Sequence, residues 1–286
     1  MARVFDCFTF FNELDLLEIR LNELSPVVDV FVITEAPLTF QGDRKPLYFQ
    51  ENRRQFDEFA RRIRSVVVDR MPAGKSRRDN WRREYHQRDA LATALHDAEP
   101  DDLILLSDVD EILRAGSIRA AIEQKELLPT VHCFELAMFN FFVNCRHEEP
   151  WSRSGPRMTR RRTLRSMQGL RNVHPPTPNP FRSALRGVSA SVNMGQPVRR
   201  IVHRDAGWHF SSMGGVDRVA QKLSAFSHIV EERAENPDAM MVQIAARQMM
   251  QARSDPSIRH VSIDATFPRY LVANKERFSH LIESSP

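Results

Sequence analysis

Cysteine is scarce in this chain, and its three cysteines are too scattered to form a disulfide framework. Cys7, Cys133 and Cys145 form no Cys-x-x-Cys pair, so the sequence does not predict a structural zinc site. No stretch approaches the roughly 18 consecutive apolar residues of a membrane-spanning helix. Charged residues also interrupt the region where a signal peptide would lie. We therefore expect a cytoplasmic protein in a reducing compartment, either soluble or peripherally bound at the inner face of the membrane.

Two common nucleotide-binding motifs are also missing. The chain has neither a Gly-x-Gly-x-x-Gly loop nor a P-loop with its lysine, so neither a dinucleotide nor a P-loop nucleotide is indicated. It contains no internal repeat and no flexible Gly/Ser linker. We expect one domain over residues 1–286, with a nucleotide-sugar half over 1–115 and an acceptor half over 116–286.

An apolar run that ends in three acids is the most informative feature that is present. Residues 103–106 are aliphatic without helical spacing, which predicts a strand buried on both faces of a parallel sheet. Asp108, Asp110 and Glu111 follow it, at the end of the strand where open α/β sheets place their ligands. Carboxylates at this spacing suit a divalent cation that also binds phosphate oxygens. The motif therefore predicts a metal–diphosphate site, with a solvated acidic turn as the alternative.

Strands and helices alternate before this motif and become less regular after it. The expected strands span residues 4–10, 28–34, 63–68 and 103–107, with two short ones inside 131–142. The first expected helix is capped by Asn12, carries Leu14, Leu17, Leu21 and Leu24 on one face and ends before Pro26. The others span residues 50–62, 79–98, 216–234 and 238–252, with Asp79 as the cap of the second of these. This alternation predicts an α/β fold with a Rossmann-type, mostly parallel sheet and helices on both faces. Residues 207–215 are expected to form a glycine-punctuated loop.

A long segment of the second half lacks lysine and acidic residues altogether. Between Trp151 and Arg204 the chain has twelve arginines and no Lys, Asp or Glu, whereas the formal net charge of the whole chain is only +4. Interspersed prolines, among them Pro175, Pro176, Pro178 and Pro180, predict an irregular basic segment rather than a helix. Such a segment favours an anionic partner: a nucleic acid, an anionic membrane surface or a phosphorylated acceptor. The alternative is a set of solvated loops.

Two other functional classes are weighed from the residues. An aspartate-based phosphatase would place its motif on the first strand and a hydroxyl residue where Ile112 stands, and neither condition is met. A nucleic-acid-binding protein would use the arginine-rich segment, but no recognisable binding motif accompanies the charge. We keep both as alternatives and expect no nucleic-acid partner.

Five ordered blocks resemble one known family, glycosyltransferase family 17. The blocks are residues 11–36, 45–49, 108–112 and 206–209, and the C-terminal pair 269–271 with 277–278. The resemblance implies a GT-A-like fold, a UDP-N-acetylglucosamine donor, inversion at the anomeric carbon and a glycan or glycolipid acceptor. Two departures stand out. We expect neither the membrane anchor nor the lumenal disulfides of the eukaryotic members, and residues 151–204 match poorly, so the acceptor does not carry over.

The resemblance also suggests roles for the motif and for the Gly207-Trp208-His209 block. A divalent ion, Mn²⁺ or Mg²⁺, held by Asp108 and Asp110 would act as a Lewis acid on the leaving diphosphate. In this kind of fold the first of these acids often faces the ribose, and a C-terminal histidine often completes the metal shell, so His209 is the expected third ligand. Trp208 is expected to pack on the sugar or to belong to the core. Glu111 is expected to position the sugar or to begin a helix.

Further donor contacts are expected from three elements. Arg83, Gln87 and Arg88 lie close to one face of the long helix before the motif, where guanidinium groups would bind phosphate, although a plain exposed face is the alternative. Glu35, at the end of the second strand, is expected to accept hydrogen bonds from the uracil or ribose. Lys222 is expected to neutralise the β-phosphate or to be a surface lysine.

The general base is the least determined group. Inversion in one displacement needs a carboxylate that takes the proton of the acceptor hydroxyl. Asp217, just after the glycine-rich loop, is the first choice, and Glu135, Glu148 and Glu149 stay open because spacing alone does not decide among them.

Overall fold

The computed structural model of the chain describes residues 2–225 and 255–283, together with residues 242–244, 246–248 and 251. The strands are β1 Val4–Thr9, β2 Val30–Glu35, β3 Ile63–Val67, β4 Leu103–Asp108, β5 Glu111–Leu113, β6 Thr130–Phe134, β7 Ala137–Asn140, β8 Cys145–His147, β9 Arg157–Arg160, β10 Arg199–His203, β11 Gly207–Ser211 and β12 Ile258–His260. The helices are α1 Leu14–Leu24, α2 Tyr48–Asn52, α3 Arg77–Ala90, α4 Ala115–Ile122, α5 Met167–Arg171, α6 Pro180–Met194, α7 Gly215–Ala225 and α8 Arg269–Ala273. Short 3-10 turns span Arg53–Phe59, Leu91–Leu95, Arg161–Thr163 and Ser279–Leu281.

The larger sheet has the strand order β10-β6-β9-β4-β1-β2-β3. All of its strands run in the same direction except β9, which is antiparallel to both of its neighbours. The carboxyl ends of β1 and β4 lie side by side, with Thr9 opposite Asp108. The predicted α/β class and the mostly parallel, Rossmann-type sheet are confirmed.

Both faces of this sheet are covered, which explains the unbroken apolar run before the acids. Leu103 and Leu105 pack with α1 on one face, in a cluster that includes Phe8 and Leu17. Ile104 and Leu106 pack on the other face, where α5 and α6 supply the covering side chains. Each fully buried aliphatic side chain contributes about 1.5–3 kcal/mol relative to exposure, so this strand is firmly fixed.

A smaller sheet with the order β12-β8-β7-β11-β5 meets the larger one at the acidic motif. β4 ends at Asp108, and β5 begins at Glu111 after a turn of two residues. β11 runs antiparallel to β5, which places His209 directly opposite Glu111. A side chain at Gly207 would approach the Ile112 carbonyl oxygen to 2.1 Å, so only glycine allows the two strands to come this close. The expected loop over 207–215 is therefore wrong for its first part, which is a strand.

Several predicted boundaries differ from those of the structure. The single helix expected over 50–62 is the short α2 followed by a 3-10 turn. The helix expected over 79–98 begins at Arg77, because Ser76 caps it in a reciprocal capping box with Asp79, and it gives way to a 3-10 turn after Ala90. The N-cap of α1 is Glu13 rather than Asn12.

The arginine-rich segment is the clearest correction. It is not irregular, since it contains β9, α5, α6 and β10. The side chain of Asn179 caps α6 by accepting a hydrogen bond from the backbone of Arg182, and Pro180 occupies the first turn, where its missing N–H costs nothing. Proline therefore starts this helix instead of preventing it.

The expected helix over 216–234 corresponds to α7 as far as Ala225, and its remainder lies outside the described residues. Most of the expected helix over 238–252 also lies outside them. None of the helices in the described part of the chain combines the length and the hydrophobicity that a bilayer-spanning helix needs.

Candidate active site

A cavity of about 470 Å³ opens where the carboxyl ends of β1 and β4 meet α3, α5, β11 and α7. This volume is in the range of small-ligand sites. Its walls carry both signs of charge. The cationic side chains are Lys45, Arg88, Arg171 and Lys222, and the carboxylates of the described residues are Glu13, Glu84, Asp108 and Asp110.

Asp108 is the first acid of the motif, and two arginines hold its carboxylate in place. Its Oδ2 accepts a hydrogen bond of 2.6 Å from Arg171, and its Oδ1 lies 3.4 Å from the guanidinium of Arg88. Burial raises the pKa of this carboxyl, but Arg171 and Arg88 outweigh burial and leave the pKa below its ordinary value. Asp108 is therefore ionised at neutral pH, with part of its side chain open to the cavity.

Asp110 is more deeply buried and has a lysine as its main partner. Nζ of Lys222 donates to Oδ2 of Asp110 at 2.6 Å and lies 3.4 Å from Oε1 of Glu13. Burial raises the pKa of Asp110, but Lys222 and His209 lower it far more, so the carboxyl is ionised. For Lys222, burial lowers the pKa but the two carboxylates raise it above its ordinary value, so the ammonium is charged.

His209 presents its imidazole to the other oxygen of Asp110. Nε2 lies 3.5 Å from Oδ1, too far for a strong hydrogen bond, and the buried Nδ1 has no partner among the described residues. Oδ1 of Asp110 and Nε2 of His209 therefore face each other, and carboxylate oxygen and imidazole nitrogen are both ligands that Mn²⁺ accepts. The donor set of Asp110 and His209 therefore fits a divalent ion, with the remaining ligands left for Asp108 or for a bound diphosphate.

Glu111 lies behind the cavity rather than in its wall. It is fully buried, and its two oxygens accept hydrogen bonds from Arg171 at 2.7 and 3.0 Å. Trp151 Nε1 and the backbone N–H of Asp108 donate to the same carboxylate, at 2.7 and 2.9 Å. Glu111 therefore positions Arg171, Trp151 and the motif backbone.

Arg20 supports the motif turn from below. It is fully buried on α1, pairs with Asp6 at 2.5 and 2.8 Å, and donates to the carbonyl oxygens of Asp108, Val109 and Glu111. Arg20 is not among the predicted site residues, although an arginine among the leucines of an apolar helix face indicates a buried charge with a specific partner.

Four of the predicted donor contacts lie at the cavity: Gln87, Arg88, Asp108 and Lys222. Gln87 donates to the Thr34 carbonyl oxygen at 3.0 Å, which fixes α3 against β2. Arg88 reaches Glu84 and Gln168, while its buried Nε has no partner among the described residues. That N–H is a donor that a phosphate oxygen would satisfy.

Three other expected donor residues, Arg83, Glu35 and Trp208, do not line the cavity. The guanidinium of Arg83 is buried and donates to the carbonyl oxygens of Phe40, Pro72 and Gly74. Glu35 is buried and accepts from the backbone of Phe49 and Gln50 at the start of α2.

Trp208 is a core residue. It is 2% exposed, and its Nε1 donates to the Thr266 carbonyl oxygen at 3.2 Å. The guanidinium of Arg114 lies 4.2 Å from its ring centre. Trp151 lies at the cavity instead, with its ring 4.8 Å from that of His209. Trp151 lies in the arginine-rich stretch, where no motif marked it.

None of the expected general bases lies at the cavity. Asp217 is on the exposed side of α7, and Glu148 is exposed and pairs with Arg259. Glu149 is exposed and Glu135 is half-buried, and neither lines the cavity. Besides the motif acids, the described carboxylates at the cavity are Glu13 and Glu84.

Lys45, Trp81 and Tyr85 also line the cavity without having been predicted as site residues. Nζ of Lys45 lies 5.5 Å from the ring centres of both Phe11 and Tyr48, and burial lowers the pKa of its ammonium. The rings of Trp81 and Tyr85 are 5.8 Å apart on α3, tilted by 44° to each other, and add aromatic surface to the cavity wall.

Curated sequence relatives match part of the chain. The beta-1,4-mannosyl-glycoprotein 4-beta-N-acetylglucosaminyltransferases of Rattus norvegicus and Homo sapiens are each 34% identical to it over 116 residues. These matches cover 38% of this chain and 21% and 22% of the two relatives. The chain thus spans about a fifth of the length of these curated relatives.

Solved structures with a similar arrangement share little sequence with this chain. The inositol-1-phosphate CTP transferase from T. maritima has a TM-score of 0.37 and 10% identity, covering 72% of this chain and 87% of that one. A glycosyltransferase involved in glycosylation of the major capsid of PBCV-1 has a TM-score of 0.33 and 15% identity, covering 84% of this chain and 99% of that one.

The family model described as Glycosyltransferase family 17 matches residues 1–159. The match includes β1 to β4 and the motif Asp108–Glu111, whereas His209 and Lys222 lie beyond it. Because it extends over more than half of the 286 residues, the chain belongs to glycosyltransferase family 17.

Proposed function

We propose that this chain is a metal-dependent, inverting glycosyltransferase that moves N-acetylglucosamine from UDP-N-acetylglucosamine to a glycan or glycolipid acceptor. The observation that carries the proposal is the position of Asp108 and Asp110 at the carboxyl end of a buried strand, inside a ligand-sized cavity with cationic walls. Family membership supports the reaction class, and the names of the curated relatives support the choice of sugar.

Asp110 and His209 are the residues that would bind a divalent ion, Mn²⁺ or Mg²⁺, and Asp108 would face the ribose of the donor. When bound, the ion supplies Lewis-acid stabilisation to the leaving diphosphate. Both motif carboxyls have lowered pKa values, so they are ionised before the ion arrives.

The donor diphosphate would bind between Arg88 and Lys222. The Nε–H of Arg88 is buried without a partner among the described residues, and the Lys222 ammonium is charged. Charge-assisted hydrogen bonds to phosphate are among the strongest in proteins. As the bond from the sugar to the diphosphate breaks, these cations stabilise the negative charge that develops on the leaving oxygen.

We assign the sugar-facing aromatic role to Trp151 rather than to Trp208. The Trp151 ring lies at the cavity wall beside His209, and its Nε1 is anchored on Glu111. An indole face packs well against the apolar face of a pyranose, and the anchor leaves the ring little rotational freedom.

The test of donor and metal is thermal stabilisation by UDP-N-acetylglucosamine with and without Mn²⁺, combined with an assay of nucleotide release. We expect stabilisation only when both are present, because metal and diphosphate complete each other's coordination. Asp110→Ala should abolish stabilisation and transfer, and His209→Ala should raise the Mn²⁺ concentration that gives half-maximal activity.

Asp57→Asn is the matched control for this test, because Asp57 is exposed on a 3-10 turn away from the cavity. Full transfer by Asp110→Ala, or full activity of the unaltered protein in excess chelator, would refute the metal role. Salt-sensitive binding to random DNA without any sugar-nucleotide hydrolysis would favour the nucleic-acid alternative instead.

For the acceptor, we propose a phosphorylated or lipid-diphosphate-linked glycan at an anionic membrane surface. The supporting feature is the outer face of α6, where Phe181, Leu185, Val188 and Val192 are each more than half exposed. Their spacing of four, three and four residues aligns them in one stripe along the helix.

The charge around this stripe favours lipid over a second copy of the chain. The whole segment from Trp151 to Arg204 has no acidic residue, and Arg182 is exposed beside the stripe. An apolar helix face bordered by arginine suits the interface of an anionic bilayer, whereas two such faces would repel each other. α6 also packs on α5, whose Arg171 lines the cavity, so docking would bring the cavity close to the bilayer.

Vesicle sedimentation tests this surface. We expect binding to phosphatidylglycerol vesicles but not to phosphatidylcholine vesicles, and loss of binding in Phe181→Ser/Leu185→Ser. Leu127→Ser/Leu128→Ser removes two exposed apolar side chains outside the stripe, and Arg53→Ser/Arg54→Ser removes two arginines from an exposed turn; both should bind normally. A dimer that the Phe181→Ser/Leu185→Ser variant converts to a monomer would instead assign the stripe to a second copy.

A further inference from the structure

Three side chains that commonly bind metal meet at the edge of the smaller sheet, and none of them lines the cavity. They are Cys145 on β8, His260 on β12 and Glu283 in the C-terminal segment. Cys145 Sγ lies 3.4 Å from His260 Nε2 and 3.1 Å from Glu283 Oε2. The third side of the triangle, from His260 Nε2 to Glu283 Oε2, is 2.5 Å.

Independent backbone contacts bring each of these residues to this place. His260 is the registered partner of Cys145 across the antiparallel β8–β12 pair. The side chain of Asn144 forms hydrogen bonds of 2.9 Å with both the backbone carbonyl and the backbone N–H of Glu283. The backbone N–H of Val143 also donates to the Leu281 carbonyl oxygen. The three side chains are therefore preorganised by the fold.

The geometry does not match a nucleophilic cysteine site. In such a site the thiol and the carboxylate contact opposite nitrogens of the histidine, because one nitrogen takes the proton while the other is oriented. Here Cys145 and Glu283 both approach Nε2 of His260. Cys145 Sγ and His260 Nε2 both contact Glu283 Oε2 as well, so the three ligand atoms converge on one point. One cation above the plane of this triangle contacts all three atoms and replaces these hydrogen bonds.

The donor types indicate which cation this is. Zinc binds thiolate sulfur at about 2.3 Å and imidazole nitrogen or carboxylate oxygen at about 2.0–2.2 Å, which places the ligand atoms of a tetrahedral site about 3.3–3.6 Å apart. The 3.4 Å from Cys145 Sγ to His260 Nε2 lies in this range. Glu283 Oε2 lies closer to both, at 3.1 and 2.5 Å, so its carboxylate has to move outward when the ion binds. A thiolate ligand disfavours the hard ions Mg²⁺ and Ca²⁺.

We propose that Cys145, His260 and Glu283 bind a zinc ion that ties the C-terminal segment and β12 to β8. Water fills the fourth position on the open side, where the His260 side chain is 34% exposed. The ion fastens β12 to β8 at one end of the sheet, whereas β11 and β5 at the other end carry His209 and Glu111. With three protein ligands and an open position, the site differs from closed four-ligand zinc sites. The sequence shows no short metal-binding motif here, because Cys145 and His260 are 115 residues apart.

Metal analysis of the purified full chain tests the proposal. After dialysis against Zn²⁺ and removal of loosely bound ion, we expect about one equivalent of zinc per chain. Cys145→Ala and His260→Ala should lose it. Cys133→Ala, which removes another buried cysteine, should retain it, and so should Asp110→Ala in the cavity. With Co²⁺ in place of Zn²⁺, a thiolate-to-cobalt charge-transfer band should appear in the unaltered protein and be absent from Cys145→Ala.

Two outcomes would overturn the proposal: an unchanged zinc content in Cys145→Ala and His260→Ala, or loss of the zinc in Asp110→Ala alone. If Cys145→Ala does not fold, Glu283→Gln decides, because it removes one ligand charge from a surface segment and should reduce zinc affinity by at least tenfold. The metal analysis needs no sugar nucleotide, so its result is independent of the proposed transferase activity.

Discussion

Nζ of Lys222 lies 2.6 Å from Oδ2 of Asp110, so a protein cation contacts the carboxylate to which we assign the divalent ion. The two residues are 112 positions apart in the chain, and both side chains are at least nine-tenths buried. An ammonium and a divalent ion repel each other at one carboxylate. We infer that Lys222 moves its contact toward the donor phosphates when the ion binds.

Lys222→Met should therefore separate metal binding from donor binding. We expect the Mn²⁺ concentration for half-maximal activity to fall several-fold, because a competing cation is gone. The donor KM should rise about tenfold, since a charge-assisted hydrogen bond contributes about 1.5–3 kcal/mol. Titrations of Mn²⁺ and of UDP-N-acetylglucosamine measure both quantities, with the exposed Lys125→Met as control. A parallel rise of both constants would contradict the competition.

Glu111→Gln should destabilise the protein and impair catalysis together. One carboxylate oxygen becomes an NH₂ group that faces N–H donors from Arg171 and Trp151 or from the Asp108 backbone. Breaking a buried ion pair in this way costs about 3–5 kcal/mol of unfolding free energy. Urea unfolding of the variant and of the exposed Glu58→Gln measures the difference. An unchanged unfolding free energy would mean that Arg171 finds another partner.

The two tryptophans should respond in opposite ways to substitution by leucine. Trp208→Leu should lower the free energy of unfolding, by less than the roughly 3–5 kcal/mol of a Trp→Ala truncation, and leave the donor KM of the folded protein unchanged, because Trp208 is a core residue. Trp151→Leu should raise the donor KM or lower kcat by at least tenfold, with a smaller loss of stability, because its ring faces the cavity. Chemical unfolding and steady-state kinetics on both variants provide the comparison. The reverse pattern would restore the sugar-facing role to Trp208.

A histidine pair at the edge of the larger sheet predicts a pH dependence of stability. His203 Nε2 lies 2.9 Å from His132 Nδ1, and burial together with His132 lowers the pKa of His203 from 6.5 to about 4. The unfolded chain therefore takes up this proton first, so stability falls as the pH drops from about 6.5 through 4. His203→Gln should reduce the decrease in melting temperature between about pH 7.5 and 4.5. The exposed His86→Gln should not.

The sequence predicted the features that depend on local pattern. The aliphatic run before Asp108 and the placement of the motif at a strand end follow from side-chain periodicity, and both are confirmed. Contacts made by distant segments were not predictable in this way. Arg171 reaches Asp108 from a helix 63 residues further along the chain, and no spacing rule connects them.

Two of the predicted site residues, Glu35 and Arg83, do not line the cavity, because nearby backbone groups bind their side chains. Glu35 lies at the end of β2, as expected. The N–H groups at the start of α2, which have no partner within the helix, donate to its carboxylate. Arg83 shares a helix with Arg88, but its guanidinium faces a loop and donates to three backbone carbonyl oxygens there. Periodicity places a residue on a helix face, whereas the neighbouring loop decides what that face contacts.

The hydrogen bonds beneath the acidic turn have a consequence for the order of ligand binding. Arg20 binds the carbonyl oxygens of Asp108, Val109 and Glu111, and the backbone N–H of Phe210 binds that of Asp110. Each of the four backbone oxygens of the turn thus already accepts a hydrogen bond, so side chains are the favoured ligands for an incoming ion there. A hard ion with so few protein oxygens retains most of its hydration shell until the donor arrives. The ion and the nucleotide sugar should therefore enter together, as a preformed complex.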